Sequence, residues 1–391
     1  MMNKAISTLA LASVIIISGC KGEEKEIFVL DDTKAVEASL DDVACDIEVT
    51  PLKSDEPFDG IGRVQFYGNK MFALNDDVNQ IFYFENDSLV STLSKSGNGP
   101  GEYEYIYQYF YSRKYNQLYV YSSGINLLAY TIPEMTFVDK KNCEMQYRSI
   151  ASISDKQCIA LVTSIVDDKR KLDAEPYYVV TFDPRTPDDT VRIIEKSVTR
   201  NYPDFSYFNT ENPVFMIDDY EKKVCRYSKG KLETILEFSL GDKGLPKKLS
   251  SVEEYMKDGG KMEDYYNEVN KYEWTHDMLA KFSDFVVNDK TVSFLFRKAP
   301  VSENTDFRSY DPPYVSVNRG DSHNVYSHLN IPGIKSSTIF PIGVDGTSYV
   351  CIINNTEMDP DSDLSPLAEE IIKAKGLQKD DNPILLKFRF R

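Results

Sequence analysis

Lys70-Met71-Phe72-Ala73-Leu74, then Asn75-Asp76-Asp77-Val78-Asn79, then Gln80-Ile81-Phe82-Tyr83-Phe84 reads as an apolar run, a polar turn and a second apolar run rich in aromatics. Short runs of β-formers on either side of an Asn/Asp turn describe a hairpin, since Asn and Asp tolerate turn geometry and aromatics fill a pleated face. The unit returns along the chain. Gln117-Leu118-Tyr119-Val120-Tyr121 leads through Ser122-Ser123-Gly124 to Leu127-Leu128-Ala129-Tyr130. Val214-Phe215-Met216-Ile217 leads through Asp218-Asp219 to Val224-Cys225-Arg226-Tyr227, and Lys229-Gly230 turns the chain into Leu232 to Phe238. Looser copies occupy 157–164 with 177–182 and 191–194, then 291–297 with 314–318 and 324–329, then 339–354. A repeat of ~40 to 50 residues holding three or four antiparallel strands suits a β-propeller, whose blades bury their faces against each other. The expectation is an all-β chain, a six-bladed β-propeller with short helical insertions. Two spare strands, Cys45 to Pro51 and Ile384 to Phe390, stand near the ends, and one is expected to complete a shared blade.

Two segments interrupt the strand pattern. Near 250–280, Ser250-Ser251-Val252-Glu253-Glu254 offers overlapping capping boxes, Gly259-Gly260 breaks the run, and Met262, Tyr265, Tyr266 and Val269 recur at helical spacing. This predicts a helical hairpin between blades. Near 363–377, Ser365 is placed as N-cap, Pro366 at the first helical position and Gly376 as the stop, with Leu367, Ala368, Ile371 and Ile372 as the apolar stripe. Both stripes are read as core-facing.

The start of the chain carries a different message. Lys4, an apolar run from Leu9 to Ile17, and Ile17-Ser18-Gly19-Cys20 have the form of a bacterial lipoprotein signal. The expected organisation is a signal peptide at 1–19, a lipidated Cys20 with a tether over 20–43, and a propeller over 44–391. Lys21-Gly22-Glu23-Glu24-Lys25-Glu26 is charged and poor in apolar groups, as a solvated tether would be. The expected location is the cell envelope, lipid-anchored at the outer membrane, with the bilayer as one partner.

The chain of 391 residues carries 62 acidic against 45 basic side chains and a formal net charge of −17, so phosphate backbones are repelled and nucleic acid is not an expected partner. After Cys20, Cys45, Cys143, Cys158, Cys225 and Cys351 are scattered and odd in number, which implies neither a disulfide framework nor a metal site. They are read as small buried hydrophobes. His276, His323 and His328 are too dispersed for a metal centre. Asp359-Pro360-Asp361-Ser362-Asp363, with Glu370 following, has the look of a calcium loop, but Leu364 stands where its turn needs glycine. An acidic flank for the following helix is the simpler reading. No metal and no cofactor are expected.

Between the first two units runs Ser94-Lys95-Ser96-Gly97-Asn98-Gly99-Pro100-Gly101-Glu102-Tyr103. Glycine freedom at 97, 99 and 101 with a stiff Pro100 allows a sharp reversal between blades, so Gly97, Gly99, Pro100, Gly101 and Glu102 are assigned to a structural turn. A phosphate cradle lacks the full Gly-x-Gly-x-x-Gly spacing and the strand-to-helix context. With the units over 59–130, this turn resembles the six-bladed β-propeller lipoproteins of Gram-negative gut anaerobes, relatives of the NHL-type propellers. The resemblance implies the fold and an envelope location, and it brings no catalytic residues. Beyond about residue 150 it extends to architecture alone.

Tyr103, Tyr105, Tyr107, Tyr109 and Tyr111 follow at strict period two, which places every ring on one face of an extended strand. Such a face could stack on a sugar or peptide, while the competing reading is bulk filling the gap between blades. The expected function is a non-enzymatic propeller module that binds a glycan, a peptide or a partner envelope protein. One alternative is a glycan hydrolase or lyase using carboxylates at the propeller mouth, and another is a structural subunit of an outer-membrane assembly. Gly-x-Ser-x-Gly, His-Glu-x-x-His, P-loop and Cys-x-x-Cys motifs are all missing from the sequence.

Overall fold

The computed structural model describes residues 27–54, 58, 60–123, 125–153, 157–165, 178–192, 214–218, 222–228, 230–250, 252–299, 312–335, 338–354, 358–359, 361–376 and 382–391. The expected signal peptide, Cys20 and Lys21–Glu26 lie outside these residues.

The first strands make no blade of their own. They are β1 (Phe28–Val29), β2 (Val36–Ser39) and β3 (Ala44–Pro51), with a one-turn helix α1 (Leu40–Val43) before β3. Blade 1 follows as β4 (Arg63–Tyr67), β5 (Lys70–Asn75), β6 (Gln80–Glu85) and β7 (Ser88–Leu93). Blade 2 is β8 (Ile106–Ser112), β9 (Gln117–Ser122), β10 (Asn126–Thr131) and β11 (Phe137–Asn142). Blade 3 is β12 (Met145–Ser152), β13 (Cys158–Ile165), β14 (Tyr178–Asp183) and β15 (Thr186–Arg192). Blade 4 contains β16 (Val214–Asp218), β17 (Lys222–Ser228) and β18 (Lys231–Ser239). Helices α2 (Val252–Lys257) and α3 (Met262–Thr275) come next. Blade 5 is β19 (Leu279–Asn288), β20 (Thr291–Lys298), β21 (Tyr314–Arg319) and β22 (Ser322–Asn330). Blade 6 holds β23 (Gly343–Asp345), β24 (Ser348–Ile353) and β25 (Ile384–Phe390), with helix α4 (Pro366–Gly376) inserted before β25. The first strands of neighbouring blades abut, β8 on β12, β19 on β23 and β23 on β4, so they form the inner ring.

The sequence pattern explains this stacking. A propeller strand is covered on both faces, so successive residues are all apolar, and the period of two sorts them between two neighbours. In β5, Phe72 and Leu74 enter the cluster shared with blade 2, while Met71 and Ala73 enter the cluster shared with blade 6. In β9, Leu118 and Val120 face blade 1, and Tyr119 and Tyr121 face blade 3. Further clusters join blades 4 and 5 through Phe238, Phe282 and Phe294, and blades 5 and 6 through Val315, Leu329, Cys351 and Leu386.

Closure uses both chain ends. β3 pairs antiparallel with β25, Ala44 opposite Phe390 and Pro51 opposite Ile384, so the two spare strands join the same blade. The segment before β3 extends the clasp: β1 lies parallel on β18 and β2 lies parallel on β22 as a fifth strand of blade 5. This corrects the expected tether over 20–43, which from Phe28 onward is a strap built into the ring. Leu30 and Leu40 are buried in the clusters between blades 4 and 5 and between blades 5 and 6, which removes apolar surface that a free tether would leave in water.

A four-charge cluster fixes the strap. Asp32, just beyond β1, contacts Lys243 and lies 3.6 Å from Lys298, while Asp277 lies 3.2 Å from Lys243 and 3.0 Å from Lys298. His323 stacks on Phe28 at 3.8 Å and bonds Asn318, so this histidine also serves the strap.

Helices occur in both expected regions. Tyr265 is fully buried with Leu249, Tyr255 and Val269, so the α2–α3 hairpin has its own small core. In α4, Ser365 Oγ accepts from the Ala368 N–H and the strap's Asp41 carboxylate accepts from the Leu367 N–H, which satisfies two otherwise orphaned donors. Among the described residues all five cysteines are free, four of them buried and Cys45 half-buried.

Candidate binding platform

The period of two in the tyrosines does not survive folding. Ile106 pairs with Ser122 and Gln108 with Tyr121, so Tyr107 is an extra, bulged residue in β8. The bulge moves the later residues to the opposite face. Tyr103, Tyr109 and Tyr111 are 1%, 2% and 5% exposed, whereas Tyr105 and Tyr107 are 43% and 48% exposed. The expectation of five rings on one binding face is therefore corrected to two.

The buried three are structural donors. Tyr109 Oη donates to the Arg63 and Phe72 carbonyls at 2.8 and 3.0 Å, tying β8 to blade 1. Tyr103 Oη donates to the Leu93 carbonyl at 3.0 Å and accepts from the Lys95 N–H at 3.1 Å. Tyr111 Oη bonds the Asn116 side chain at 2.7 Å. Burial raises the pKa of all three phenols, so they remain neutral donors.

The glycine turn leads the chain into this region. The Gly99 N–H donates to Glu102 at 2.8 Å, and the Glu102 N–H returns to the Gly99 carbonyl at 3.0 Å. Gly101 has φ +75°, and a Cβ there would meet the Phe137 ring at 2.5 Å. A Cβ at Gly97 would meet the Glu102 carboxylate at 2.1 Å. The carboxylate thus occupies the space inside the turn that a phosphate would need.

Around Tyr105 and Tyr107, two polar loops are fixed by their own side chains. Asn75 Oδ1 accepts from the Asp77 and Val78 N–H groups at 3.0 and 3.2 Å, shaping the turn between β5 and β6. Asn79 Oδ1 accepts from the Ile106 N–H at 2.8 Å, and its amide donates to the Glu104 carbonyl at 3.1 Å. From the neighbouring turn of blade 2, Ser123 Oγ donates to the Glu104 carboxylate at 3.1 Å. Three segments thus meet over the junction of blades 1 and 2. Their exposed apolar side chains are Val78, Tyr105, Tyr107 and Ile125, with the two rings edge to face at 5.3 Å.

Charged groups border the patch. Arg63 Nη1 donates to the Tyr107 carbonyl at 2.8 Å and its Nε to Asp76 at 3.1 Å, so a guanidinium on the inner strand β4 sets the height of the bulge. Asp76, Glu104 and Asn79 supply polar groups at the rim of an aromatic surface, and Arg63, 10% exposed, is committed to the Tyr107 carbonyl and Asp76 beneath it. Sequence reasoning found the two tyrosines but missed Val78, Ile125 and Arg63. A valine inside Asn75-Asp76-Asp77-Val78-Asn79 has no reason to be in an acidic turn, and that mismatch was the available signal.

A second feature lies on the inner strand β19, whose pairing with β20 breaks around Ser283. Asp284 adopts φ +52° there and accepts a bond from Ser283 Oγ at 2.7 Å. Desolvation raises its carboxyl pKa, against the opposing effects of that bond and of the Arg297 charge.

A ring of six sheets with a polar-edged aromatic patch over the junction of its first two blades defines a β-propeller. The chain belongs to the 6-bladed beta-propeller family, whose model matches residues 18–299. Among solved structures it is similar to a candidate exported protein of Bacteroides fragilis, with 13% identity and a TM-score of 0.60 over 92% of this chain and 98% of that one. It is also similar to a domain-of-unknown-function family member from Bacteroides vulgatus, with 12% identity and a TM-score of 0.49 over 89% and 98% of the two chains. No curated protein matches.

Proposed function

We propose that the protein is an envelope lipoprotein, akin to the NHL-like propellers of Gram-negative gut anaerobes, that binds an extended glycan on the platform over blades 1 and 2. The observation that carries this reading is the exposed Tyr105–Tyr107 pair, with Val78 and Ile125 exposed on the two turns that Asn79 and Ser123 bond to the same segment, and with Glu104 between them. Sugar rings present apolar faces with hydroxyl edges, and tyrosines beside carboxylates and amides match both parts. The signal-like Ile17 to Cys20 segment supports export and anchoring, and the Bacteroides fragilis relative bears a description as exported.

The test is a glycan and peptide array on the soluble chain from Lys21 onward, repeated with Tyr105→Ala/Tyr107→Ala. Loss of two stacked rings at ~0.5–1.5 kcal/mol each should weaken a glycan by roughly 5- to 150-fold while leaving the fold intact. Undiminished binding by the double variant would refute the platform. Capture of peptides alone would replace the glycan by a protein ligand.

The enzymatic alternative draws on Asp284, whose raised pKa suits a general acid. A glycosidase needs a second carboxylate about 5–9.5 Å away, and Asp284→Asn with an array of glycans would reveal any cleavage that depends on it. The third alternative, an assembly subunit docking through 250–280, draws on the exposed Met256, but Tyr265 of that segment is core.

A further inference from the structure

The strap fixes where the anchor leaves the molecule. From Phe28 onward the chain is paired to the outermost strands of blades 4, 5 and 6, and the Asp32 cluster pins it one turn beyond β1. Between that fixed point and Cys20 stand only Lys21 to Ile27. Fully extended, the eight Cα steps from Cys20 to Phe28 span at most about 29 Å. A domain of this size is on the order of 50 Å across, so the tether is shorter than the propeller is wide. In a ring of six blades, blade 4 stands across from blade 1 and blade 5 from blade 2. The exit point and the aromatic platform are therefore on opposite sides of the axis.

Resting on the reading of Cys20 as the acylated residue, we infer that the outer rim of blades 4 and 5 faces the bilayer, and that the platform over blades 1 and 2 is held away from it. The membrane-side rim consists of β1 and β2, whose Val29 and Val36 point outward at 57% and 55% exposure. The far rim is β7 and β11, marked by the exposed Val90 and Val138. A short anchor thus turns a ring into a pedestal that lifts its recognition loops from the lipid surface.

The test uses the full-length acylated protein in phosphatidylethanolamine/phosphatidylglycerol vesicles containing a fluorescent-acceptor lipid. A donor dye is placed at Val36→Cys, Val138→Cys or Val78→Cys in a Cys45→Ser background, the other described cysteines being buried. Energy transfer from position 36 should exceed that from 138 and from 78 severalfold. A Gly/Ser spacer of about 20 residues after Glu26 should erase the contrast, because it makes the tether's maximal reach exceed the propeller's width. Equal transfer from 36 and 138 would overturn the orientation, and strongest transfer from 78 would instead lay the aromatic face on the bilayer. If the wild-type chain stays with the aqueous fraction as Cys20→Ser does, the lipoprotein reading fails first and takes the orientation with it.

Discussion

Replacing Asp32 by Asn removes one charge from the strap and keeps its size. The Asp32 side chain is 5% exposed, Lys243 17% and Lys298 30%, so this carboxylate is the most enclosed member of the cluster. At an effective dielectric near 20, a unit pair at 4 Å attracts by about 4 kcal/mol before desolvation is counted. Breaking a fully buried pair costs about 3–5 kcal/mol, because the partner charge is stranded. Here both lysines keep Asp277 at 3.2 and 3.0 Å, and water reaches that side, since Asp277 is 47% exposed. The expected loss is therefore about 2 kcal/mol for Asp32→Asn and below about 1 kcal/mol for Asp277→Asn. Urea unfolding followed by far-ultraviolet dichroism gives the global values, and amide exchange at Leu30 and Ala38 shows whether the strap opens first. A loss under about 0.5 kcal/mol for Asp32→Asn, or equal losses for the two variants, would refute the view that enclosed charge holds the strap.

The same cluster has a pH signature. Asp277 is lowered below the usual carboxylate range because its bonds to Lys298 and Lys243 outweigh the upward pull of burial, so its contribution is present above about pH 4 and fades below it. Lys243 and Lys298 are raised, burial opposing and the aspartates prevailing for Lys243, the Asp277 bond leading for Lys298. Their contribution holds below about pH 10.5 and is lost above it, so amide protection of the strap should plateau between these limits. Gly101→Ala should cost about 2–5 kcal/mol, from φ +75° and the clash with Phe137, whereas an open turn would lose under about 1 kcal/mol in thermal unfolding. Tyr109→Phe leaves the Arg63 and Phe72 carbonyls without that hydroxyl and should cost about 1–3 kcal/mol in the same assay, while Tyr105→Phe should be neutral.

Strand content and blade order were legible because each blade repeats the same two-sided burial. Met71-Phe72-Ala73-Leu74 is apolar at every position, as a strand covered on both faces requires, and the Asn75 to Asn79 turn after it bounds the run at strand length. The strap was not legible, since Phe28-Val29 is too short to read as a strand and Val36-Glu37-Ala38-Ser39 lacks a pattern. Their pairing is decided by distant edges at Phe238 and Tyr326, which local propensity cannot see. The tyrosine series misled for a similar reason. One bulged residue at Tyr107, held by Arg63 from another blade, inverts the phase of all that follows, and strict spacing in the sequence carries no sign of it.

The strap also answers a problem that the ring alone leaves open. Outer strands end in unpaired N–H and C=O groups, and β1 and β2 cover part of those edges on blades 4 and 5 while β3 completes blade 6. Opening the ring then requires β3 to leave β25, and peeling the strap from its start requires β1, the Asp32 cluster and β2 to yield in turn. A load applied to the chain ahead of Phe28 would meet these contacts in chain order. β1 offers just Phe28 and Val29 against Phe238 and Ser239, so it is too short to resist by pairing alone. The charges at Asp32, Lys243, Asp277 and Lys298 stand immediately behind it, at the first place where a pull on the chain ahead of Phe28 would otherwise unzip the fold.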